Sequence, residues 1–142
     1  MKAVILYATK SGAAKECAQL LAEKLCCPLY DLAQTAPDLA QFDTVVLGTG
    51  VRMGQVYQPA KKYMQQHLAQ LLQKKTALFF CGAYPQTLPQ TIEKNIPPKL
   101  QQSAVCQIAA GGKPPFTNPP QQDWLNMQNI DQLVTALGAA SA

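Results

Sequence analysis

"ILYATKSGAAKECAQLLAEKL", residues 5–25, contains an apolar run, a short polar cluster and a helical pattern in immediate succession. The apolar run at residues 2–8 is continuous and β-rich, as in a strand covered on both faces. Apolar residues then recur at helical spacing from about residue 13: Cys17, Ala18, Leu21, Ala22 and Leu25. Only the cluster "TKSG" separates the two elements, so this junction determines how the strand turns into the helix.

The junction between strand and helix has two interpretations. In the first, Thr9 or Ser11 is an ordinary helix N-cap. In the second, the backbone N–H groups of residues 10–13 bind a phosphate, because unpaired donors and the helix dipole attract anions at a helix N-terminus. Gly12 permits close approach and Lys10 adds positive charge. The loop does not match the G-x-x-x-x-G-K-[ST] pattern of triphosphate-binding loops. Taken alone, it leaves both interpretations open.

The rest of the chain repeats the order of strand and helix. The residues between the first helix and the third strand, 33–43, predict a loop or a weak helix. Pro97 and Pro98 predict the end of a short helix within residues 88–102. This alternation predicts one α/β domain over residues 1–142, with a five-stranded parallel sheet and helices on both faces. The predicted strands are residues 2–8, 28–32, 43–50, 76–82 and 103–112, and the longer helices are 13–25, 59–72 and 123–137.

In such a sheet the ligand crevice lies beyond the carboxyl ends of the strands, where the strand order reverses. Three segments leave those ends: "TKSGAA" at 9–14, "TGVRMGQVY" at 49–57 and "CGAYPQ" at 81–86. All three are rich in glycine, hydroxyl or aromatic residues. The pattern predicts a binding edge without identifying its ligand.

Composition disfavours several classes of function. The net charge of +4 is spread along the chain, without the basic stripe and interleaved aromatics of a nucleic-acid-binding surface. No apolar run approaches the ~20 residues that span a bilayer, so no stable membrane insertion is expected. The five cysteines have no metal-binding spacing, and the lone His67 completes no catalytic set. We therefore predict a cytoplasmic protein with reduced thiols, no metal site and no catalytic residue of its own.

The first loop resembles the phosphate-binding fingerprint of the flavodoxins, [TS]-x-[TS]-G-x-[TS], at the place after the first strand where that family has it. The stretch "GTGVRMGQVY" at 48–57 is similar to the branch of this family that includes the menaquinone-dependent protoporphyrinogen dehydrogenases. Asp123 and Trp124, at the start of the last helix, also resemble that branch. The resemblance covers nearly the whole chain. It implies a flavodoxin-like three-layer sandwich with strand order 2-1-3-4-5 and FMN at the switch point.

The resemblance also implies which residues contact FMN. Those around the phosphate would be Thr9, Lys10, Ser11, Gly12, Ala13 and Ala14. Those along one side of the isoalloxazine ring would be Thr49, Gly50, Val51, Arg52, Met53 and Gly54, and those on its other side Cys81, Gly82, Ala83 and Tyr84. Flat aromatic faces suit a planar cofactor, so Tyr57 and Tyr84 are candidates to stack on the ring. Core packing is the alternative for Tyr57.

Two features depart from the family pattern. Ala14 replaces the last Ser or Thr of the fingerprint, so one hydroxyl ligand of the phosphate is missing. Losing such a bond costs about 1–3 kcal/mol where the acceptor is left unpaired, which predicts weaker FMN binding. The porphyrin-oxidising relatives carry a long insertion after strand five, where this chain has only "GGKPPFTNPPQQ" at 111–122. The short segment argues against porphyrin chemistry.

Charge near the expected ring site differs from that of electron-carrier flavodoxins, which surround the flavin with acidic groups. Residues 49–62 contain Arg52, Lys61 and Lys62 and no carboxylate. A cation beside the ring would favour the anionic reduced flavin, which predicts a less negative second reduction step. The alternative is that Arg52 points into solvent or pairs with a distant acid.

These observations predict an FMN-binding redox protein that transfers electrons between a reductase and an unknown acceptor. The flavin would supply the chemistry and the protein its binding and electrostatic tuning. Two alternatives are a small FMN-dependent dehydrogenase related to the protoporphyrinogen oxidisers, and a flavodoxin-fold binding module that has lost FMN.

Overall fold

Strand β1, Ala3–Ala8, has all six residues buried and pairs on both sides. The structure is a computed structural model that describes residues 2–10, 12–82, 85–112 and 124–138. Alternate side chains of β1 point to opposite faces of the sheet, because successive residues of a strand do so. Ile5 and Tyr7 pack into one core, whereas Val4 and Leu6 pack into the other. The continuous apolar run therefore marks a strand between two hydrophobic layers.

The described residues form six strands and six α-helices. The remaining strands are β2 Leu29–Asp31, β3 Thr44–Arg52, β4 Gln55–Val56, β5 Lys75–Cys81 and β6 Cys106–Gly111. The helices are α1 Ala13–Leu25, α2 Gln58–Gln66, α3 Leu68–Leu71, α4 Leu88–Asn95, α5 Pro98–Ser103 and α6 Met127–Ala136. Single 3₁₀ turns lie at Leu39–Gln41 and Pro85–Thr87. No helix in the described ranges is long and apolar enough to cross a membrane.

The sheet has the order β2-β1-β3-β5-β6, and these five strands are parallel. This confirms the predicted order 2-1-3-4-5, since β4 is a short additional strand that pairs antiparallel with β3. Helices α1 and α6 cover one face through residues such as Leu21 and Leu133. Helices α2, α3 and α5 cover the other through Met64, Leu71 and Leu100. The predicted three-layer sandwich is therefore confirmed.

Three predicted helices have different bounds. The helix predicted at 59–72 is broken at His67, whose backbone leaves the helical region (φ −114°, ψ 20°). The short helix predicted within 88–102 is in fact two helices, because Pro98 starts α5, whose first position suits a residue that lacks an N–H. The last helix starts at Met127 and not at Asp123, with the Asn126 side chain accepting a bond from the Asn129 N–H. Asp123 itself lies outside the described residues.

The third strand is longer than predicted. It continues past Gly50 to Arg52, where the pairs Arg52–Gln55 and Val51–Val56 close a two-residue hairpin. No apolar alternation marks β4, which has only two residues, so the sequence predicted a loop here. The hairpin leads directly into α2 and shapes the carboxyl edge of the sheet.

Gly48 is the point of closest approach in the sheet. The Phe79 ring, which is completely buried, lies across Gly48 so tightly that a β-carbon at this position would overlap it. Phe79 is also the register partner of Gly48 in β5. The absence of a side chain at Gly48 thus makes room for the largest fully buried side chain that the structure describes.

We expect Gly48→Ala to lower the free energy of unfolding by about 2 kcal/mol, because the added methyl group displaces a ring that is packed on all sides. Urea denaturation measures this loss. Phe79→Leu in the Gly48→Ala background should lose less than the sum of the two single changes, since the smaller side chain removes the overlap. Simple additivity of the two changes would contradict this account of the contact.

Candidate functional site

The first predicted segment forms a glycine-started helix N-terminus. Gly12 is the N-cap of α1 in the left-handed region (φ 91°), and apart from its chain neighbours no described residue lies within 4 Å of the place where its β-carbon would be. The Thr9 hydroxyl accepts a hydrogen bond from the Gly12 N–H (2.9 Å). Ser11 lies outside the described residues, so its predicted role stays a prediction. The site therefore has an open approach to the backbone at Gly12.

Ala13 and Ala14 contribute backbone to this site. Both side chains are buried in the core under α1. Their N–H groups belong to the first helical turn, which has no preceding carbonyls to bond, and no side chain in the part of the chain that the structure describes caps the helix. Lys10 is exposed beside them. Unpaired donors, an open glycine and a nearby ammonium group together suit a small anion.

The second predicted segment is held in place by Thr49. This residue is buried, and its hydroxyl donates to the Gly50 carbonyl (2.8 Å) and accepts from the Tyr57 N–H (3.2 Å). The hydroxyl thus joins the end of β3 to the start of α2. Thr49 acts on the site by fixing the hairpin, because both of its hydrogen bonds are made to protein backbone.

The Tyr57 ring is the main contact between the first and second segments. It lies so close against Gly50 that a β-carbon there would overlap it. The Lys10 ammonium lies over the same ring, 5.0 Å from its centroid, at a distance typical of a cation–π interaction. The sequence marked Tyr57 and Lys10 separately but carried no signal for this contact, which joins residues 47 positions apart. The Tyr57 ring packs on the Gly50 backbone at the edge of the site. Because the ring is only half-buried, this packing does not exclude stacking on a planar ligand.

Val51, Arg52, Met53 and Gly54 form the hairpin that projects from this edge. Met53 and Gly54 both have positive φ (54° and 75°), as a type I′ turn requires. The Asn95 side-chain N–H₂ donates to the Gly54 carbonyl (3.1 Å) and to the Thr91 carbonyl (2.8 Å). Sequence reasoning missed Asn95 because it lies in α4, far along the chain from the hairpin. Its burial inside a helix is the one signal that could have marked it.

The third predicted segment meets the second at Gly82. A β-carbon on Gly82 would lie 3.3 Å from the Val51 β-carbon, so the two segments are in contact. The Gly82 N–H bonds the Gly111 carbonyl (3.1 Å) and ties this edge to β6. Ala83 and Tyr84 lie outside the described residues, and their predicted contacts stay predictions. The described residues of all three segments thus share one edge of the sheet.

Cys81 ends β5 beneath this edge. It is buried, and a hydrogen bond with the Cys17 side chain, together with burial, raises the pKa of its thiol well above the usual value. A thiol with a raised pKa carries little thiolate at neutral pH and is a poor nucleophile. Cys81 therefore contributes to packing beneath the edge, and its predicted contact with the flavin stays a prediction.

The match to known sequences decides the family. The sequence model of the family described as "Flavodoxin domain" matches residues 4–133. The chain belongs to the flavodoxin domain family. A search of curated protein sequences finds no match. Membership of the family agrees with the strand order and with the position of the glycine-started α1.

Solved flavodoxins share the fold at low sequence identity. Oxidised flavodoxin 1 from Bacillus cereus is 17% identical, with a TM-score of 0.62 over 99% of this chain and 100% of that chain. A flavodoxin variant from Fusobacterium nucleatum bound to flavin mononucleotide is 12% identical, with a TM-score of 0.58 over 94% and 93%. The apo form of an NADH:FMN oxidoreductase is 12% identical, with a TM-score of 0.63 over 100% and 92%. At these identities the likeness shows the fold.

The turn at the hairpin tip makes a prediction about stability. Met53 has a left-handed backbone conformation that costs a residue with a β-carbon about 1 kcal/mol, and Asn adopts it more readily. We therefore expect Met53→Asn to raise the free energy of unfolding of the ligand-free protein by up to about 1 kcal/mol. Gly54→Ala should lower it, because Gly54 also has positive φ. Urea denaturation of both variants checks the opposite signs, and a loss of stability in Met53→Asn would show that the Met53 conformation is not strained.

Proposed function

We propose that this flavodoxin-family protein binds FMN at the carboxyl edge of its sheet and transfers electrons between a reductase and a protein acceptor. The observation that carries the proposal is the N-terminus of α1 at Gly12, which no side chain among the described residues caps or covers, with no carboxylate in the loop before it. A flavodoxin of the same fold has been solved with flavin mononucleotide. The five free cysteines suit a reducing compartment such as the cytoplasm.

The phosphate of FMN would be held mainly by backbone. The N–H groups of Ala13 and Ala14 face the N-terminal end of α1, where the positive end of the helix dipole adds to their attraction for an anion. Lys10 would supply a charge that water screens only in part. Thr9 would keep the loop in shape through its bond with Gly12. These residues fit a phosphate group despite the missing hydroxyl at position 14.

The flavin ring would lie between the hairpin and the segment after β5. Gly50 and Gly82 bring backbone to the edge there, and Val51 supplies an apolar contact between them. When bound, FMN supplies one- and two-electron transfer. The chain's part is to hold the ring at this edge, limit the access of water and set the charge around it.

We expect Ala14→Ser to tighten FMN binding about tenfold, because the added hydroxyl would complete the family fingerprint and bond the phosphate. The same change should lower the stability of the flavin-free protein, since Ala14 is completely buried and the hydroxyl would then lack a partner. Fluorescence quenching during FMN titration and urea denaturation measure the two effects. Ala18→Ser is the matched control: it is equally buried one turn further along α1, and should destabilise without changing FMN affinity.

Arg52 tests the electrostatic part of the proposal. It is exposed at the end of β3 beside the expected ring site. If it favours the reduced anionic flavin by about 1 kcal/mol, then Arg52→Gln should make the two-electron potential of bound FMN about 20 mV more negative. A redox titration against a dye of known potential measures the change. Lys2→Gln, at the opposite edge of the sheet, removes the same charge and should leave the potential unchanged. Equal potentials in all three proteins would show that Arg52 does not act on the flavin.

Titration of the flavin-free protein with FMN separates this proposal from its alternatives. Near-stoichiometric binding with quenched flavin fluorescence supports it. Failure to bind at tens of micromolar FMN would favour a binding module that has lost the cofactor. Turnover of a reduced substrate with a quinone acceptor would favour an FMN-dependent dehydrogenase instead of an electron carrier.

A further inference from the structure

The tip of the β3–β4 hairpin has an apolar residue where local chemistry favours a polar one. Met53 is 92% exposed, the highest value among the large apolar side chains that the structure describes as exposed. It also occupies the first turn position with φ 54°, where Asn or Asp is preferred before Gly. Exposure and backbone conformation both disfavour methionine. A residue kept against two local preferences points to a role in binding.

Cations lie on both sides of Met53 along the chain. Arg52 precedes it, and Lys61 and Lys62 follow in the first two turns of α2, directly after the hairpin. Lys10, in the neighbouring loop, lies over the Tyr57 ring at the base of the hairpin. We call Lys10, Arg52, Met53, Lys61 and Lys62 the hairpin patch.

Carboxylates near the hairpin patch come from the flanking helices. Residues 49–62 contain none. Glu16 and Glu23 in α1 and Glu93 in α4 are the acidic residues on the helices that flank the edge, and each has a lysine next to it in sequence: Lys15, Lys24 and Lys94. Asp31 ends β2 at the same edge, with β1 between it and β3. The flanking helices therefore add no net negative charge through these pairs, and the hairpin patch stays positive.

The hairpin patch is held in one arrangement. The Asn95 side chain bonds the Gly54 carbonyl at the turn, and Thr49 bonds the Tyr57 N–H at the base of the hairpin. Val56 is buried between these two anchors. A surface fixed before binding loses little conformational entropy when a partner arrives, which favours recognition.

We propose that the hairpin patch docks a partner protein whose contact surface is acidic and surrounds an apolar depression that receives the Met53 side chain. The charges select the partner, because opposite charges steer association and like charges exclude it. Met53 supplies the central apolar contact, and the cations form its rim. The place of this docking in electron transfer rests on the proposed function, but the docking itself does not need a flavin. The positive charge of the hairpin patch is opposite in sign to the charge expected around the flavin of an acidic electron-carrier flavodoxin.

A pair of haem proteins of opposite charge tests the proposal. The ¹⁵N-labelled full-length protein, with and without FMN, is titrated with cytochrome b5, which is acidic around its exposed haem edge, and with cytochrome c, which is basic there. We expect amide shifts at the hairpin patch with cytochrome b5 at about 10 mM salt, and their loss at about 300 mM, where the Debye length is much shorter. Cytochrome c should cause no such shifts. Equal shifts with both proteins, or shifts on another face, would overturn the proposal.

Variants separate charge from apolar contact. The double change Lys61→Gln and Lys62→Gln should weaken docking of cytochrome b5 about tenfold, whereas the double change Lys2→Gln and Lys24→Gln, which removes the same charge elsewhere, should change it less than about twofold. Met53→Ser should weaken docking about fivefold in the flavin-free protein, where no contact with a cofactor can contribute. An unchanged affinity in Met53→Ser would remove Met53 from the interface and overturn the proposed mode.

Three further outcomes distinguish this proposal from its alternatives. A short DNA duplex that causes the same shifts as cytochrome b5 would show a general anion-binding face and overturn the proposal of a protein partner. If FMN titration fails while docking of cytochrome b5 persists, the docking surface stands and the electron-transfer function falls. If FMN binds while docking fails, the reverse holds.

Discussion

Strand β3 constrains the rest of the structure, because it has glycine at the two positions where an aromatic ring packs against its backbone. Phe79 lies across Gly48 in the buried part of the sheet, and Tyr57 lies across Gly50 at the carboxyl edge. The first contact sets how closely β3 and β5 can pack beneath α1 and α6. The second sets where the hairpin turns back into α2. Core and site are thus built on the same strand, two residues apart.

The fold could be predicted largely from local patterns. Buried parallel strands appear as continuous apolar runs, and α1 has a clear helical period, so their order along the chain followed from the sequence. The breaks were harder to predict. His67 ends α2 without a glycine or proline, and its ring stacks on Tyr63 at 4.3 Å, a contact made by the folded helix and not announced by residue type. Pro98 was predicted to end a helix but starts α5, because proline also suits the first turn of a helix.

The candidate site was predictable as a set of segments and not as a set of contacts. Parallel strands deliver their carboxyl ends to one edge, so topology alone brings Thr9, Gly50 and Gly82 together. The bonds that shape the edge join distant positions, as from Asn95 to Gly54 and from Lys10 to Tyr57. Such pairs depend on how a helix packs on the sheet, which one sequence does not reveal. The two backbone bonds of the Thr49 hydroxyl were not predictable for the same reason, and its predicted place along the flavin ring stays a prediction.

The bond from Asn95 to the hairpin gives α4 a mechanical role. A single amide carries two donor bonds, one to its own helix at Thr91 and one to the turn at Gly54. A tilt of α4 would therefore also move the turn to which it is bonded. Sequence change on the outer surface of α4 can then reposition the exposed tip without touching a residue of the site. The geometry of this edge therefore depends in part on how α4 packs.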